Sequence, residues 1–151
     1  MDFFSVKKLL GSDAVENQSV AVRGWLRSKR DSKAGFSFLS LHDGSCFNSI
    51  QIVAPDSLNN YESEVLKLTS GCALEICGDL VSSQGDEQTL EIQASRINVV
   101  GWVQNPDSYP IAKKRHSFEF LRTQAHLRPR TNTFTATTRI RNALAITIHN
   151  Y

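Results

Sequence analysis

Basic and aromatic side chains stand close together in the first third of the chain. Two phenylalanines, Phe36 and Phe38, alternate within a run of strand-forming residues. Just before them comes a cluster of four basic residues, Arg27, Lys29, Arg30 and Lys33. Aromatic rings stack on unpaired nucleobases, and cationic groups bind phosphates. The combination therefore predicts a surface that binds single-stranded nucleic acid.

Charge is segregated along the sequence. Residues 20–33 hold five basic residues and one acidic residue. Residues 55–91 hold one basic residue and eight acidic residues, whereas residues 96–151 hold nine basic residues and two acidic residues. The formal net charge is only +2, so the local clusters are the better indication of a polyanionic partner, because phosphate binding depends on local charge. Ordinary solvated faces are the alternative, and composition alone leaves both interpretations open.

Five stretches have the composition and alternation of β-strands, at residues 20–30, 36–42, 50–54, 72–81 and 90–100. Turn residues at 43–45 and at 83–86 separate neighbouring stretches. Between the third and fourth, apolar residues recur at helical steps and predict a helix that ends near Gly71; they are Leu58, Tyr61, Val65 and Leu68. Three strands, a helix and two strands are typical of the OB-fold, a small all-β Greek-key barrel of five strands.

The remaining segments predict a four-part organisation. Residues 1–16 form a leader with a short helix over 5–10, and residues 17–101 form the barrel. Residues 102–133 are rich in proline and charge and predict a hinge. Residues 134–151 predict a helix with an apolar stripe, Ile140, Leu144 and Ile148, and no stop signal. Such a helix is expected to continue beyond Tyr151.

Strand alternation predicts which side chains leave the core. The leucines of the second strand take the core side, which turns Phe36 and Phe38 outward. On the third and fifth strands the same alternation turns Gln51, Glu91 and Gln93 outward. Phe38 is the better stacking candidate, because Phe36 could instead pack under the leader helix. Amides can read base edges, although a solvated strand face explains them equally well.

Several function classes are disfavoured. No stretch approaches the roughly 20 consecutive apolar residues of a membrane span, and no signal peptide is apparent, which predicts a soluble cytoplasmic protein. The three cysteines, Cys46, Cys72 and Cys77, form no CxxC pair, so no zinc site is indicated. The four histidines have no nucleophile or base nearby in the sequence pattern. No catalytic residue and no metal ligand is assigned.

Two segments closely resemble one known family. They are "VRGWLRSKRDSKAGFSFLSLHDGSCFNSIQIV" and "GWVQNPDSYPIAKKRHSFEFLRTQAHLRPRTN", and they resemble the N-terminal part of asparaginyl-tRNA synthetase of the bacterial type. The resemblance runs from near residue 3 to the last residue. In this class II family, an OB-fold domain that binds the tRNA anticodon precedes the catalytic domain, as in the lysyl and aspartyl enzymes.

The resemblance implies roles for individual residues. Phe38 corresponds to the aromatic residue that stacks on the central anticodon base, Gln51 to the glutamine that reads that base, and Arg30 to the arginine that closes the first strand. Aspartyl relatives tend to carry a glutamate in place of Gln93. Because the asparagine anticodon ends in U and the aspartate anticodon in C, an amide here suits the O4 and N3–H of uracil. The phosphate-contact candidates are Arg27, Lys29 and Lys33.

The terminal segment "TRIRNALAITIHNY" resembles the first half of class II motif 1, which builds the dimer interface of these enzymes. The dimer-interface candidates are Ile140, Leu144 and Ile148. Motifs 2 and 3, which hold ATP in the family, are absent from the sequence. The resemblance thus implies tRNA with an asparagine anticodon as partner, no cofactor and no catalysis in this chain, and ATP, Mg²⁺ and homodimerisation for the full-length enzyme. A free-standing OB-fold protein and a non-functional synthetase remnant remain alternatives.

Overall fold

Five strands and three α-helices form the regular structure of the computed structural model, which describes residues 2–11, 16–83 and 88–151. The strands are β1 (Ser19–Ser32), β2 (Phe36–His42), β3 (Ile50–Pro55), β4 (Ala73–Ser82) and β5 (Leu90–Gly101). The helices are α1 (Val6–Leu9), α2 (Phe118–Thr123) and α3 (Asn132–Asn150). The five predicted strands are confirmed to within two residues at each end. Of the turn predicted at 83–86, residues 84–86 lie outside the described residues.

The strands close into a barrel in the order β1-β2-β3-β5-β4. Closure depends on the length of β1, whose residues 19–25 pair with β4 and whose residues 25–32 pair with β2. The β3–β5 pair is parallel, and the other neighbours in this order are antiparallel. This architecture confirms the predicted five-stranded OB-fold.

The interior of the barrel is filled by alternate residues of every strand. The largest fully buried strand side chains are Val20, Leu26, Leu39, Leu41, Ile50, Ile52, Leu74, Ile76, Leu80 and Ile92. Burying each such side chain contributes about 1.5–3 kcal/mol relative to leaving it exposed. Because successive residues of a strand face opposite sides, this burial commits the residues between them to the outer surface of the barrel.

The α-helix predicted between β3 and β4 is wrong. Residues 56–68 are all described, and they form turns and one 3₁₀ turn, Val65–Lys67. The apolar residues nevertheless reach the core as their spacing predicted, with Tyr61, Val65 and Leu68 buried. The carbonyl of Asn60 accepts two backbone N–H groups, and its side-chain amide donates to the carbonyl of Ile97 in β5 at 2.9 Å. This side-chain contact attaches the irregular segment to β5.

The predicted leader helix is confirmed as α1, and it is anchored to the loop after β2. Its cap, Ser5, accepts a backbone N–H of the first turn, and Val6 and Leu9 are buried. The N–H of Val6 donates to the carboxylate of Asp43 at 2.8 Å. Partial burial of Asp43 raises its pKa, but hydrogen bonds from the Ser45 hydroxyl and from backbone N–H groups outweigh burial, and the net pKa is lowered.

The chain packs as two compact units, Met1–Tyr109 and Pro110–Tyr151. The first holds α1 and the barrel, and the second holds α2, a 3₁₀ turn at Arg128–Arg130, and α3. Helix α2 was not predicted; it begins after Ser117, whose hydroxyl accepts a backbone N–H as a cap. The domain boundaries after residues 16, 101 and 133 stay predictions. Among the described residues, no helix has both the length and the apolar character needed to cross a bilayer.

Candidate nucleic-acid interface

Two aromatic rings lie side by side on the outer face of β2. Phe36 and Phe38 are both half-buried, and their ring centroids lie 5.1 Å apart with the planes at 88°. Phe36 is at the hairpin end of β2, whereas α1 is bound to the loop at the other end. Phe36 and Phe38 therefore pack against each other with their rings perpendicular, an arrangement that aromatic pairs favour.

Arg30 lies beside the Phe38 ring. The two residues are direct partners in the β1–β2 ladder, and the guanidinium carbon lies 4.8 Å from the ring centroid. At this distance a cation is attracted to the negative face of the ring. The arrangement places an exposed positive charge next to a surface on which a base can stack.

A buried carboxylate lies at the centre of the polar part of this face. Glu91 is the direct partner of Gln51 in the β3–β5 ladder, yet it is only 5% exposed. Its carboxylate accepts from the Gln51 amide at 2.7 Å, from the Gln93 amide at 3.2 Å and from the Ser83 hydroxyl at 3.0 Å. The outward direction of Glu91 was predicted, but its burial and its contacts were not. The sequence spacing could have indicated the contact between Glu91 and Gln93, because the two residues are two positions apart on one strand and share a face.

The Glu91 carboxylate orients both glutamine amides. A carboxylate accepts hydrogen bonds and does not donate them, so the NH₂ groups of Gln51 and Gln93 turn toward it. Each amide keeps its carbonyl oxygen and a second N–H, which leaves one acceptor and one donor for a ligand. The three donors also compensate for the cost of burying a polar group.

Gln51 connects the polar and aromatic parts of the face. It is the direct partner of Ser40 in the β2–β3 ladder, so it lies diagonally across from Phe38, two residues along β2. Stacking and hydrogen-bonding groups are thus neighbours on one surface. The structure brings together four predicted residues here, Arg30, Phe38, Gln51 and Gln93.

The backbone at Gln93 depends on a glycine in the neighbouring strand. A β-carbon at Gly78 of β4 would collide with the carbonyl oxygen of Gln93. The β4–β5 register also shifts between Cys77 and Gly78. The close approach of β4 to β5 at Gln93 therefore requires a residue without a side chain at position 78.

Lys29 is engaged inside the protein. Its ammonium donates to the carbonyls of Val65 and Leu66 and lies 3.3 Å from the carboxylate of Asp31, and its side chain is 13% exposed. These partners use the three N–H donors of the ammonium. The contacts disfavour phosphate binding by Lys29, and the phosphate-contact role of this residue stays a prediction.

The other basic candidates differ in exposure. Arg30 and Lys33 are exposed, and Lys33 lies in the turn between β1 and β2, close in sequence to the aromatic rings. Arg27 is half-buried. Within the part of the chain that the structure describes, no group of three or more histidine, cysteine, aspartate or glutamate residues could hold a metal ion.

The residues predicted for a dimer interface lie along one side of α3. Ile140, Leu144 and Ile148 are each more than half exposed. They line a shallow apolar groove together with Thr137, Arg141 and Ala145. The stripe predicted from the spacing is thus present in the second unit, and its role in dimerisation stays a prediction.

Comparison with known sequences defines the class of protein. Residues 20–100 match the family described as OB-fold nucleic acid binding domain. The match covers more than half of the chain and includes nearly all of the barrel. The chain belongs to this family of OB-fold nucleic-acid-binding domains.

Individual relatives narrow the assignment. The chain is 58% identical over 150 residues to the asparagine–tRNA ligase of Legionella pneumophila (strain Lens), which covers 99% of this chain and 32% of the relative. It is 53% identical over 151 residues to the asparagine–tRNA ligase of Vibrio cholerae serotype O1, and this match covers 100% of this chain and 32% of the relative. The chain is therefore a homologue of the N-terminal portion of bacterial asparagine–tRNA ligase, which confirms the resemblance. It spans about a third of the length of these relatives.

Solved structures agree on the fold. The asparaginyl-tRNA synthetase of Pyrococcus horikoshii, complexed with asparaginyl-adenylate, superposes with a TM-score of 0.74 at 15% identity, covering 99% of this chain and 34% of the other. The Entamoeba histolytica asparaginyl-tRNA synthetase, also with asparaginyl-adenylate, gives a TM-score of 0.74 at 24% identity, covering 91% and 33%. These similarities support the architecture and no finer property.

Proposed function

We propose that this chain is the anticodon-binding portion of an asparagine–tRNA ligase and that it binds tRNA carrying an asparagine anticodon. One observation carries the proposal: the 58% identity to such a ligase extends over 99% of the chain. That stretch includes the outer face of β2, β3 and β5. This face has the composition that unpaired bases require, namely a ring for stacking, amides for base edges and cations for phosphates.

The central anticodon base stacks on Phe38 in this proposal. The neighbouring Arg30 adds a positive charge at the edge of the stacked base and its phosphate. Stacking on an aromatic side chain stabilises binding by about 1–3 kcal/mol per base. Gln51 reads the edge of the same base with its remaining donor and acceptor, because the Glu91 carboxylate occupies its other N–H.

Gln93 reads the third anticodon base. Uracil presents O4 as an acceptor and N3–H as a donor, and an amide matches both groups. Cytosine presents a donor at N4 and an acceptor at N3, so it needs the amide in the reverse orientation. Because the Gln93 amide already donates to Glu91 at 3.2 Å, reversal would break that contact. The arrangement therefore favours U, the last base of the asparagine anticodon.

The full-length enzyme would use the bound tRNA in aminoacylation. We propose that it condenses asparagine with ATP, in the presence of Mg²⁺, and transfers the aminoacyl group to the terminal ribose of the tRNA. It would work in the cytoplasm as a homodimer in which Ile140, Leu144 and Ile148 contribute to the interface. The 151 residues alone bind tRNA and do not catalyse this reaction.

Two anticodon stem-loops test the proposal. They differ only in the third anticodon base, U in one and C in the other, and their affinities are measured at one salt concentration, because phosphate contacts make affinity salt-dependent. We expect tighter binding of the U stem-loop. Equal affinity for both would indicate a general single-strand binder, and no binding of either would indicate a non-functional remnant.

A further inference from the structure

Gln88 lies at the open end of the β3–β5 ladder, beside the polar part of the face. The ladder begins with Gln51 opposite Glu91. Beyond this pair the side-chain amide of Gln88 takes over: it accepts from the backbone N–H of Gln51 at 3.0 Å and donates to the backbone carbonyl of Ser49 at 2.6 Å. One side chain therefore satisfies two backbone groups, one in β3 and one in the residue that precedes it.

The Gln88 amide occupies the place of a strand backbone. In a parallel ladder, a residue bonds through its N–H and its carbonyl to the two residues that flank its partner. Gln88 makes this pair of bonds with its side chain, to the residues on either side of Ile50. The pairing of β3 thus continues one residue beyond its ladder with β5, which ends at Gln51 and Glu91.

These contacts determine the position of Gln51 from two directions. Gln88 holds its backbone N–H, and Glu91 holds its side-chain amide at 2.7 Å. If Gln51 had only the Glu91 contact, its side-chain amide would keep a partner while its backbone could move. Because Gln51 has both contacts, neither its backbone nor its side chain can shift without losing a hydrogen bond.

We propose that Gln88 is a positioning residue for base recognition: it fixes the backbone of Gln51 so that the Gln51 amide meets the central anticodon base. The inference rests on the proposed function. Gln88 does not contact the base in this role. Its loss should reduce discrimination at the central base and leave discrimination at the third base, which depends on Gln93, unchanged.

The test compares Gln88→Met with Gln88→Glu. Methionine has a similar length and removes both hydrogen bonds, whereas glutamate keeps an acceptor for the Gln51 N–H and loses the donor to Ser49. Gln104→Met, at an exposed position, is the matched control. For each variant, affinities are measured for stem-loops with U or C at the central position and with U or C at the third position. For each position, the affinity for the U stem-loop is divided by the affinity for the C stem-loop, and these ratios are compared between variants. Ratios are used because the added charge of glutamate weakens RNA binding regardless of sequence.

We expect Gln88→Met to lower the U-to-C ratio at the central position by roughly threefold to tenfold, the effect of about one hydrogen bond. Gln88→Glu should retain most of the ratio, and Gln104→Met all of it. Hydrogen exchange at the backbone N–H of Gln51 should accelerate in Gln88→Met and stay slow in Gln88→Glu. In a Gln51→Ala background, Gln88→Met should have no further effect on the central ratio.

An unchanged central ratio in Gln88→Met, with wild-type discrimination intact, would overturn the inference and leave the proposed function standing. Equal losses at the central and third positions would also overturn it, since they indicate general destabilisation. Failure of the wild-type chain to prefer the asparagine anticodon would instead overturn the proposed function, and this inference with it.

Discussion

Phe38 and Arg30 face each other across the β1–β2 ladder, and the two side chains contribute to binding by different physics. Stacking on the ring is short-range and largely independent of salt, whereas the guanidinium acts through charge and releases counterions. The guanidinium carbon lies 4.8 Å from the ring centroid, so one nucleotide can meet both groups. Substitution combined with salt titration separates the two contributions.

Phe38→Ala should weaken binding of the asparagine anticodon stem-loop by about 1–3 kcal/mol, because one stacking surface is lost. The slope of log K against log salt concentration should stay unchanged. Binding is measured across a salt series, with Phe118→Ala in the second unit as a control for an exposed ring elsewhere. Normal binding combined with a lowered Tm would show that the ring serves the fold and not the ligand.

Lys29 and the segment between β3 and β4 act together at the scale of elements. The segment lacks the regular hydrogen bonds of an α-helix, and two of its carbonyls, those of Val65 and Leu66, accept from the Lys29 ammonium in β1. The buried hydroxyl of Tyr61 also bonds to Ser37 in β2 at 2.8 Å. Side chains from neighbouring strands therefore hold a segment whose own backbone is irregular.

Lys29→Met should destabilise the fold by about 1–3 kcal/mol, because the carbonyls of Val65 and Leu66 lose a charged donor. Urea denaturation measures this loss, with the exposed Lys33→Met as a control. The salt slope of RNA binding should stay the same in Lys29→Met, whereas Arg30→Ala should reduce it by about 0.7–1. Unchanged stability together with a reduced slope in Lys29→Met would restore Lys29 as a phosphate contact.

The contact between α1 and the Asp43 carboxylate makes the stability of the fold depend on pH. The lowered pKa of Asp43 means that its carboxylate stabilises the fold at any pH above its ordinary titration range, and that this contribution is lost as the pH falls through the lower, folded-state pKa. Asp43→Asn should therefore be less stable than the wild type near neutral pH. The difference should shrink as the pH falls through the folded-state pKa of Asp43, which lies below its ordinary value.

Thermal unfolding of both proteins, from about pH 7 to about pH 2, checks this expectation. Asp79→Asn, at an exposed position of β4, provides a control carboxylate. A stability difference that stays constant down to strong acid would show that the Asp43 charge does not contribute and that only its shape matters.

The two units of the whole molecule have different chemistry. The first carries the face of rings, amides and cations on a closed barrel, and the second, residues 110–151, carries eight basic residues and one acidic residue. Amino-acid activation needs groups that hold the phosphates of ATP and align the carboxylate of the amino acid with them. A barrel face that presents stacking rings and amides is suited to bases instead.

The purified 151-residue chain should accordingly show no asparagine-dependent exchange between ATP and pyrophosphate. Exchange is measured with and without asparagine, and a preparation of Phe38→Ala, purified identically, controls for contaminating host synthetase. RNA binding without exchange is the expected result. Asparagine-dependent exchange that persists after removal of host synthetase would contradict the proposal.

Alternation along the chain was sufficient to predict the five strands and the outward direction of Phe38, Gln51 and Gln93. This worked because a strand places successive side chains on opposite faces, so the burial of one set determines the position of the other. The helical spacing of Tyr61, Val65 and Leu68 identified the buried residues but not the backbone, because turns can bury the same set.

The contacts that organise the face were decided by tertiary structure. Glu91 meets Gln51 across 40 residues, Gln88 meets Gln51 across 37, and Lys29 meets Leu66 across 37. Periodicity tells which face a residue takes on its own strand, but not which residue of another strand lies beside it. That neighbour follows from the register of β3 against β5 and from the closure of the barrel. Burial of Glu91 between two glutamines is therefore a property of the closed barrel and not of any one segment.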